Sequence, residues 1–280
     1  MSARWVPRPA IAASMGLHGL VLAGIIVMPG LWQTGLAALA VNHALLFIPM
    51  MFPQSQLLGR TMTRLPPCAG ARVALTFDDG PDAAVTPLIL DLLERHGAHA
   101  TFFCIGTAAA RNPGLMRDIR RRGHLVANHT MHHPGWFTAL GVGGQLRELE
   151  QAAAALAATG PVSRYCRAPL GYRSPLSDIA FHRAGLRHVA WARRGLDTRS
   201  TDPATVLRRL TTGLASGDIL LLHDGNTART TAGRPVSVVV LESLLPWLEA
   251  RGFACVTLDE PWPPSARPVR ADARRTPGTA

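Results

Sequence analysis

Two adjacent carboxylates, Asp78 and Asp79, stand in the run Thr76-Phe77-Asp78-Asp79-Gly80-Pro81. Gly-Pro after two acids makes a turn that can aim both at one centre, although Asp-Gly is also common in plain solvated turns. Three histidines crowd the later run Asn128-His129-Thr130-Met131-His132-His133-Pro134. His129 and His133 are four residues apart; if the segment is helical they share a face, the spacing by which two imidazoles hold one metal ion. His132 offers a rival three-residue spacing. Two imidazoles and one carboxylate leave positions open for water and substrate. Asp79 is the natural third ligand, and Asp78 then stays free beside the metal as a general base.

Three more polar residues stand at the ends of apolar runs. Arg167, in Arg167-Ala168-Pro169-Leu170-Gly171-Tyr172, can hold a carboxylate in place. Asp197 can orient a histidine. His223 closes the run Leu220-Leu221-Leu222-His223-Asp224, where an imidazole emerges from a packed wall.

Gathering these groups requires a scaffold that collects strand ends. From residue 72 onward, β-rich runs at 73–77, 101–105, 125–128, 164–167, 188–191, 219–223 and 253–258 alternate with helical patterns at 85–96, 114–122, 142–158, 175–184, 204–215 and 236–251. Regular βα alternation predicts an α/β fold: a distorted parallel (β/α) barrel of about seven strands, with its chemistry at the carboxyl ends of the strands.

An N-terminal transmembrane helical hairpin precedes it. Residues 10–28 form an almost unbroken apolar run, Pro29-Gly30 interrupts it, and 31–52 is apolar again. Each is about as long as a membrane span. Arg4 and Arg8 before an apolar run, with Ala38-Leu39-Ala40 beyond it, also fit a cleaved signal peptide, but the run is long for one. Asn42 and His43 are costly in lipid unless paired, for instance with His18 across the hairpin. The domain reading is hairpin 1–52, linker 53–70, catalytic domain 71–260 and a disordered basic tail 261–280. Arg4, Arg8, Arg60 and Arg64 flank the hairpin's outer ends, while its short loop is neutral. That distribution favours a cytoplasmic-membrane protein with both ends, and the catalytic domain, on the cytoplasmic side.

Composition narrows the partners. Of 280 residues 48% are hydrophobic, and the net charge of +11 comes from arginine alone, without a lysine. The arginines are scattered rather than massed on one element, which argues against nucleic acid and for anionic lipid or a phosphorylated substrate. Cys68, Cys104, Cys166 and Cys255 show no metal-binding spacing. Three lie in strand-like runs and are expected to be buried free thiols, in keeping with a reducing compartment.

In order and spacing, the polar runs resemble the polysaccharide deacetylases of carbohydrate esterase family four, relatives of the chitooligosaccharide deacetylases. That family's T-F-D-D-G is matched by Thr76 to Gly80, its H-[ST]-x-x-H by His129, Thr130 and His133, and its L-x-L-H by Leu220 to His223. Its R-P-P-Y is matched in part by Arg167 to Leu170; of its D-W, Asp197 keeps the acid while Thr198 replaces the tryptophan. The resemblance covers residues 72–258. It implies a metal-dependent hydrolase that removes an N-acyl group, most often N-acetyl, from an amino sugar in a polysaccharide or lipid-linked glycan. Asp79, His129 and His133 would hold a divalent ion, usually zinc and sometimes cobalt. Asp78 would take the proton of the attacking water, with Arg167 restraining it. His223, tuned by Asp197, would protonate the departing amine. The Leu170 amide would hold the oxyanion, with Tyr172 and Leu221 beside the substrate. Thr198 in place of tryptophan removes a wall near the acyl group, leaving a deformylase as an alternative. A catalytically inactive glycan-binding relative is a further one, although none of the five central residues is lost.

Overall fold

The computed structural model describes residues 4–67 and 70–259; Cys68 and the expected tail lie outside the described residues. The chain opens with two antiparallel helices, α1 (Pro9–Val27) and α2 (Trp32–Met50), joined by a short turn. At 1.5 Å per residue each 19-residue helix is about 28 Å long, and both are long and apolar enough to cross a membrane. Gly35 allows their close approach, since a side chain there would meet Val21. The expected partner is met only in part. The His18 and His43 rings meet edge-on at 5.1 Å, while Asn42 Nδ2 donates not to His18 but to Ser14 Oγ at 2.9 Å.

The remaining elements alternate: β1 (Arg72–Asp78), α3 (Thr86–Arg95), β2 (Ala100–Cys104), α4 (Gly106–Arg111), α5 (Pro113–Arg121), β3 (Leu125–Asn128), α6 (Val142–Ala157), β4 (Tyr165–Cys166), α7 (Ser177–Arg183), β5 (Arg187–His188), β6 (Arg193–Arg194), α8 (Pro203–Thr211), β7 (Ile219–His223), α9 (Val236–Glu249) and β8 (Ala254–Cys255). Seven strands pair side by side in the order β5-β4-β3-β2-β1-β7-β6, and β8 pairs with β1. Every pairing between them is parallel. The fold is the expected α/β barrel, curled but not closed by direct pairing of its two edges.

Residues 53–67 span the gap between those edges. Met62 bridges Val189, and Arg64 bridges Asp218 at the start of β7. Thr61 Oγ1 bonds to the buried His188 ring at 2.7 Å, and Arg64 pairs with the buried Asp218. This docking explains why the run at 188–191 yields only the two-residue β5. The Met62 amide and carbonyl pair with the His188 carbonyl and the Ala190 amide, while the Val189 and Ala190 carbonyls accept from Arg167. Those backbone groups are therefore not available for a longer ladder. Two short elements, α4 and β6, go beyond the sequence pattern.

The core is double. Leu75, Phe77, Phe102, Leu220 and Leu222 pack outward against α3, α8 and α9, while Ala74, Phe103, Ala127, Tyr165 and Ile219 fill the barrel. Cys104 and Cys166 are buried free thiols, as expected, and Cys255 is partly exposed.

Candidate active site

Alternation along a strand decides which side chains enter the barrel. With Leu75 and Phe77 outward, Ala74, Thr76 and Asp78 point inward. With Leu220 and Leu222 outward, Ile219, Leu221 and His223 point inward. Asp78 and His223 are register partners, so they stand on one rung at the carboxyl end of the sheet. Arg167 follows the inward Tyr165 by two residues, and His129 follows the inward Ala127 by two.

Arg167 is wholly buried. Its guanidinium pairs with Asp78 Oδ1, donates to Thr76 Oγ1 at 3.0 Å, to the Val189 carbonyl at 3.2 Å and to the Ala190 carbonyl at 3.0 Å, and lies over the Phe103 ring. Such a satisfied, planar fork fixes the Asp78 carboxylate in one orientation.

Asp79 turns the chain with φ 72°, ahead of a cis Gly80–Pro81 bond. Position 80 must be glycine, because a Cβ there would fall 1.9 Å from Asp224 Oδ2. The turn aims Asp79 Oδ1 at two imidazoles, His129 Nε2 at 3.2 Å and His133 Nε2 at 3.3 Å. His129 Nδ1–H donates to the Arg167 carbonyl at 2.8 Å, which orients the ring so that Nε2 faces Asp79. Asp79 Oδ1 is buried with no hydrogen-bond partner, an arrangement that costs free energy unless something positive sits there. The candidate ligand atoms of Asp79, His129 and His133 all lie within 4.8 Å of one another, and His129 Nε2 is 3.8 Å from Asp78 Oδ2. A carboxylate oxygen and two imidazole nitrogens converging in a buried pocket fit a divalent cation.

The site's groups are electrostatically coupled: burial lowers the His129 ring, but Asp78 and Asp79 more than offset it, and its net shift is upward. Burial would raise Asp79, but the imidazoles of His129, His223 and His133 outweigh it and hold the carboxyl well below the usual range. Burial and then repulsion by His129 push His133 down.

The histidines do not meet by the helical route. The 129–133 segment is a loop in which Thr130 (φ 64°) and His133 (φ 51°) take left-handed conformations. Asn128 Oδ1 accepts from the Thr130 amide at 2.9 Å, and Thr130 Oγ1 from the His133 amide at 3.1 Å. These side-chain bonds replace the helix ladder. The rival His132 points away and pairs with Glu148 at 2.8 Å.

Asp197 is buried and uses both oxygens on His223: Oδ1 faces Nδ1 at 2.9 Å, and Oδ2 accepts the backbone amide at 2.8 Å. Burial lowers the His223 ring, but the Asp197 carboxylate, then Asp78 and Asp79, more than offset it, and the net shift is upward. Leu170 is exposed and takes φ 58°. Tyr172 is partly exposed. Leu221 is buried beside Ala190 and Trp191.

Three residues escaped the sequence reading. Asp224 lies under the Asp79-Gly80 turn, accepts from Thr86 Oγ1 at 2.7 Å, and is pushed up to about 7, chiefly by burial. Asn226 Nδ2 donates to Asp79 Oδ2 at 3.2 Å. Glu148 Oε2 accepts the Met131 and His132 amides. Only Asp224 left a trace in the sequence, as the acid after His223; the other two act from loop and helix positions without a pattern.

Known proteins return the family that the motifs suggested. A family model described as polysaccharide deacetylase matches residues 67–189. The chain is 33% identical over 196 residues to a peptidoglycan-N-acetylglucosamine deacetylase of Bacillus cereus, covering 67% of this chain and 86% of that protein. It is 37% identical over 195 residues to a chitooligosaccharide deacetylase of Sinorhizobium fredii, covering 67% and 90%. A family 4 carbohydrate esterase from Streptomyces lividans, solved with acetate, matches with TM-score 0.59 at 28% identity over 68% of this chain and 93% of that one.

Proposed function

The chain belongs to the polysaccharide deacetylase family, and from that premise we propose that it is a metal-dependent hydrolase removing an N-acetyl group from an amino sugar in a polysaccharide or lipid-linked glycan. The observation that carries this reading is the buried Asp79 Oδ1 facing the Nε2 atoms of His129 and His133, with Asp78 and His223 on one rung beside it. The relatives named for chitooligosaccharides and for peptidoglycan N-acetylglucosamine support an N-acetylated glucosamine unit as the substrate.

Asp79, His129 and His133 would hold the ion, zinc first and cobalt next. Bound there, it supplies Lewis acidity to water and to the acyl oxygen. Asp78, fixed by Arg167, accepts the proton of the attacking water as its oxygen bonds the acyl carbon. The Leu170 amide donates to the oxygen that gains charge. His223, with Nδ1–H given to Asp197, presents Nε2 to the departing nitrogen and protonates it as the C–N bond breaks. Acetate and a free amine result. Tyr172 and Leu221 are assigned to the substrate wall. Residues 71–260 carry this chemistry and 1–52 anchor it in the cytoplasmic membrane, with the catalytic domain on the cytoplasmic side.

Mass spectrometry of N-acetylated and N-formylated amino sugars, free and lipid-linked, after incubation with zinc-loaded protein tests the reading. Loss of acetyl is expected. Loss of formyl alone would make it a deformylase, and no loss from any substrate would refute it. A phosphatase fusion at Ala280 active in the periplasm would reverse the orientation.

A further inference from the structure

Both ends of the apolar hairpin attach to one rim of the catalytic domain. Ahead of α1, Trp5 Nε1 donates to Asp178 Oδ2 at 2.9 Å in the first turn of α7, and Arg8 Nε donates to the Gln56 carbonyl at 3.2 Å. Beyond α2, Gln54 Nε2 donates to the Trp191 carbonyl at 2.8 Å. Pro53 lies so close to Gly171 that a side chain there would meet it. The buried Arg173 guanidinium donates to the Ser55 and Gly59 carbonyls. Gly171, Arg173, Asp178 and Trp191 all follow the carboxyl ends of β4 and β5. The hairpin therefore rises from the same face on which Asp78, His129 and His223 open.

That rim is apolar as well. Beyond residue 53, the large hydrophobic side chains exposed among the described residues are Leu57, Leu88, Trp136, Leu170 and Leu176. All but Leu88, which lies on the outer helix α3, belong to the docked segment or to loops past the carboxyl ends of β3 and β4. Trp136, 68% exposed, stands three residues from His133. Exposed apolar side chains of this kind mark contact surfaces, tryptophan favours the membrane–water interface, and the rim that carries them also anchors both ends of two helices apolar enough to span a bilayer.

We propose that this rim rests on the bilayer, so that the catalytic mouth opens at the lipid interface and takes amino sugars carried on a lipid anchor. The substrate half rests on the deacetylase reading; the bilayer contact does not. The test uses the full chain in vesicles of phosphatidylethanolamine and phosphatidylglycerol. Nitroxide labels are placed by Trp136→Cys, Leu176→Cys or Leu88→Cys in a Cys68→Ser, Cys255→Ser background, where the remaining Cys104 and Cys166 are buried. Labels at 136 and 176 should be relaxed by lipid-soluble oxygen, and the label at 88 by a water-soluble nickel chelate. Equal nickel access at all three, or dipolar broadening at 136 from a second copy, overturns the contact. Trp136→Ser with Leu176→Ser should lower kcat/KM about tenfold, or ~1.4 kcal/mol, on a lipid-linked N-acetylglucosamine in these vesicles, and leave a soluble N-acetylchitooligosaccharide unaffected. An equal fall on both overturns the lipid-interface role. Lipid-facing labels on a protein that hydrolyses neither sugar would support the contact and sink the deacetylase reading instead.

Discussion

Of the three pairs of facing imidazoles among the described residues, His18–His43, His99–His124 and His129–His133, the first and the last differ most in their surroundings. In the barrel, the His129 and His133 rings lie 4.8 Å apart and both Nε2 atoms face one unpartnered carboxylate oxygen. In the hairpin, His18 and His43 lie 5.1 Å apart, and each Nδ1 is tied to the carbonyl four residues earlier in its own helix. No acid precedes Asp78 anywhere in the sequence. Ring proximity is thus the same in both places, and the role of each pair follows from what faces the remaining nitrogens. In the barrel a carboxylate oxygen stands between them; in the hairpin no acid is at hand, and the polar contact between the helices is Asn42 Nδ2 donating to Ser14 Oγ.

The strongest way to break this contrast is to empty the barrel pair. Asp79→Ala or His129→Ala should abolish both bound metal, read by elemental analysis, and deacetylation. A strong chelator should do the same to the native chain, reversibly with zinc or cobalt. Full activity in metal-free protein would remove the distinction.

Asp78→Asn comes next. It should keep the metal and lose about 10²–10⁴-fold in kcat, the usual contribution of a general base. An emptied site would make Asp78, not Asp79, the ligand. Arg167→Met leaves Asp78 buried and uncompensated, and denaturant unfolding should report a loss of about 3–5 kcal/mol. A neutral result would mean that Asp78 is not held by that pair.

A smaller effect is expected from Asp197→Asn. The raised His223 ring keeps its proton to higher pH than a free imidazole, so activity that needs the acid falls only as pH rises through that elevated value. Removing the carboxylate leaves burial to push the ring down, and the alkaline limb of the pH–rate profile should move to lower pH. An unmoved limb would show that another group donates the proton.

The smallest effect belongs to the hairpin. Asn42→Leu with His18→Phe removes an interhelical hydrogen bond worth about 0.6 kcal/mol on average in membranes. Metal content and turnover should stay unchanged, with a slight fall in thermal stability. Lost metal would show that the two histidine pairs are not independent.

Much of the candidate site's geometry was legible in the sequence because strand parity is local. Two-residue alternation and apolar flanks are enough to send Asp78, Arg167 and His223 into one interior. The meeting of His18 and His43 between the two apolar helices was legible for a related reason, since polar groups in an apolar hairpin have few other partners, but Asn42 took Ser14 instead. The loops were not. The choice of His133 over His132 depends on left-handed φ values set by Asn128 and Thr130 and on Glu148, which reaches in from α6. The turn at Asp79 depends on Gly80 fitting against Asp224, far along the chain.

The sequence by itself determined the βα order, the inward-facing groups and the two apolar helices, which follow from periodicity and residue type over short windows, and it pointed to the family through the resemblance of its motifs. Only the tertiary structure decided that residues 53–67 bridge the barrel's open seam, and that both hairpin ends leave from the catalytic rim. Those arrangements rest on contacts such as Thr61 to His188, Arg64 to Asp218 and Trp5 to Asp178. Each joins residues more than a hundred positions apart, and no local pattern encodes which distant backbone or side chain will satisfy a given polar group.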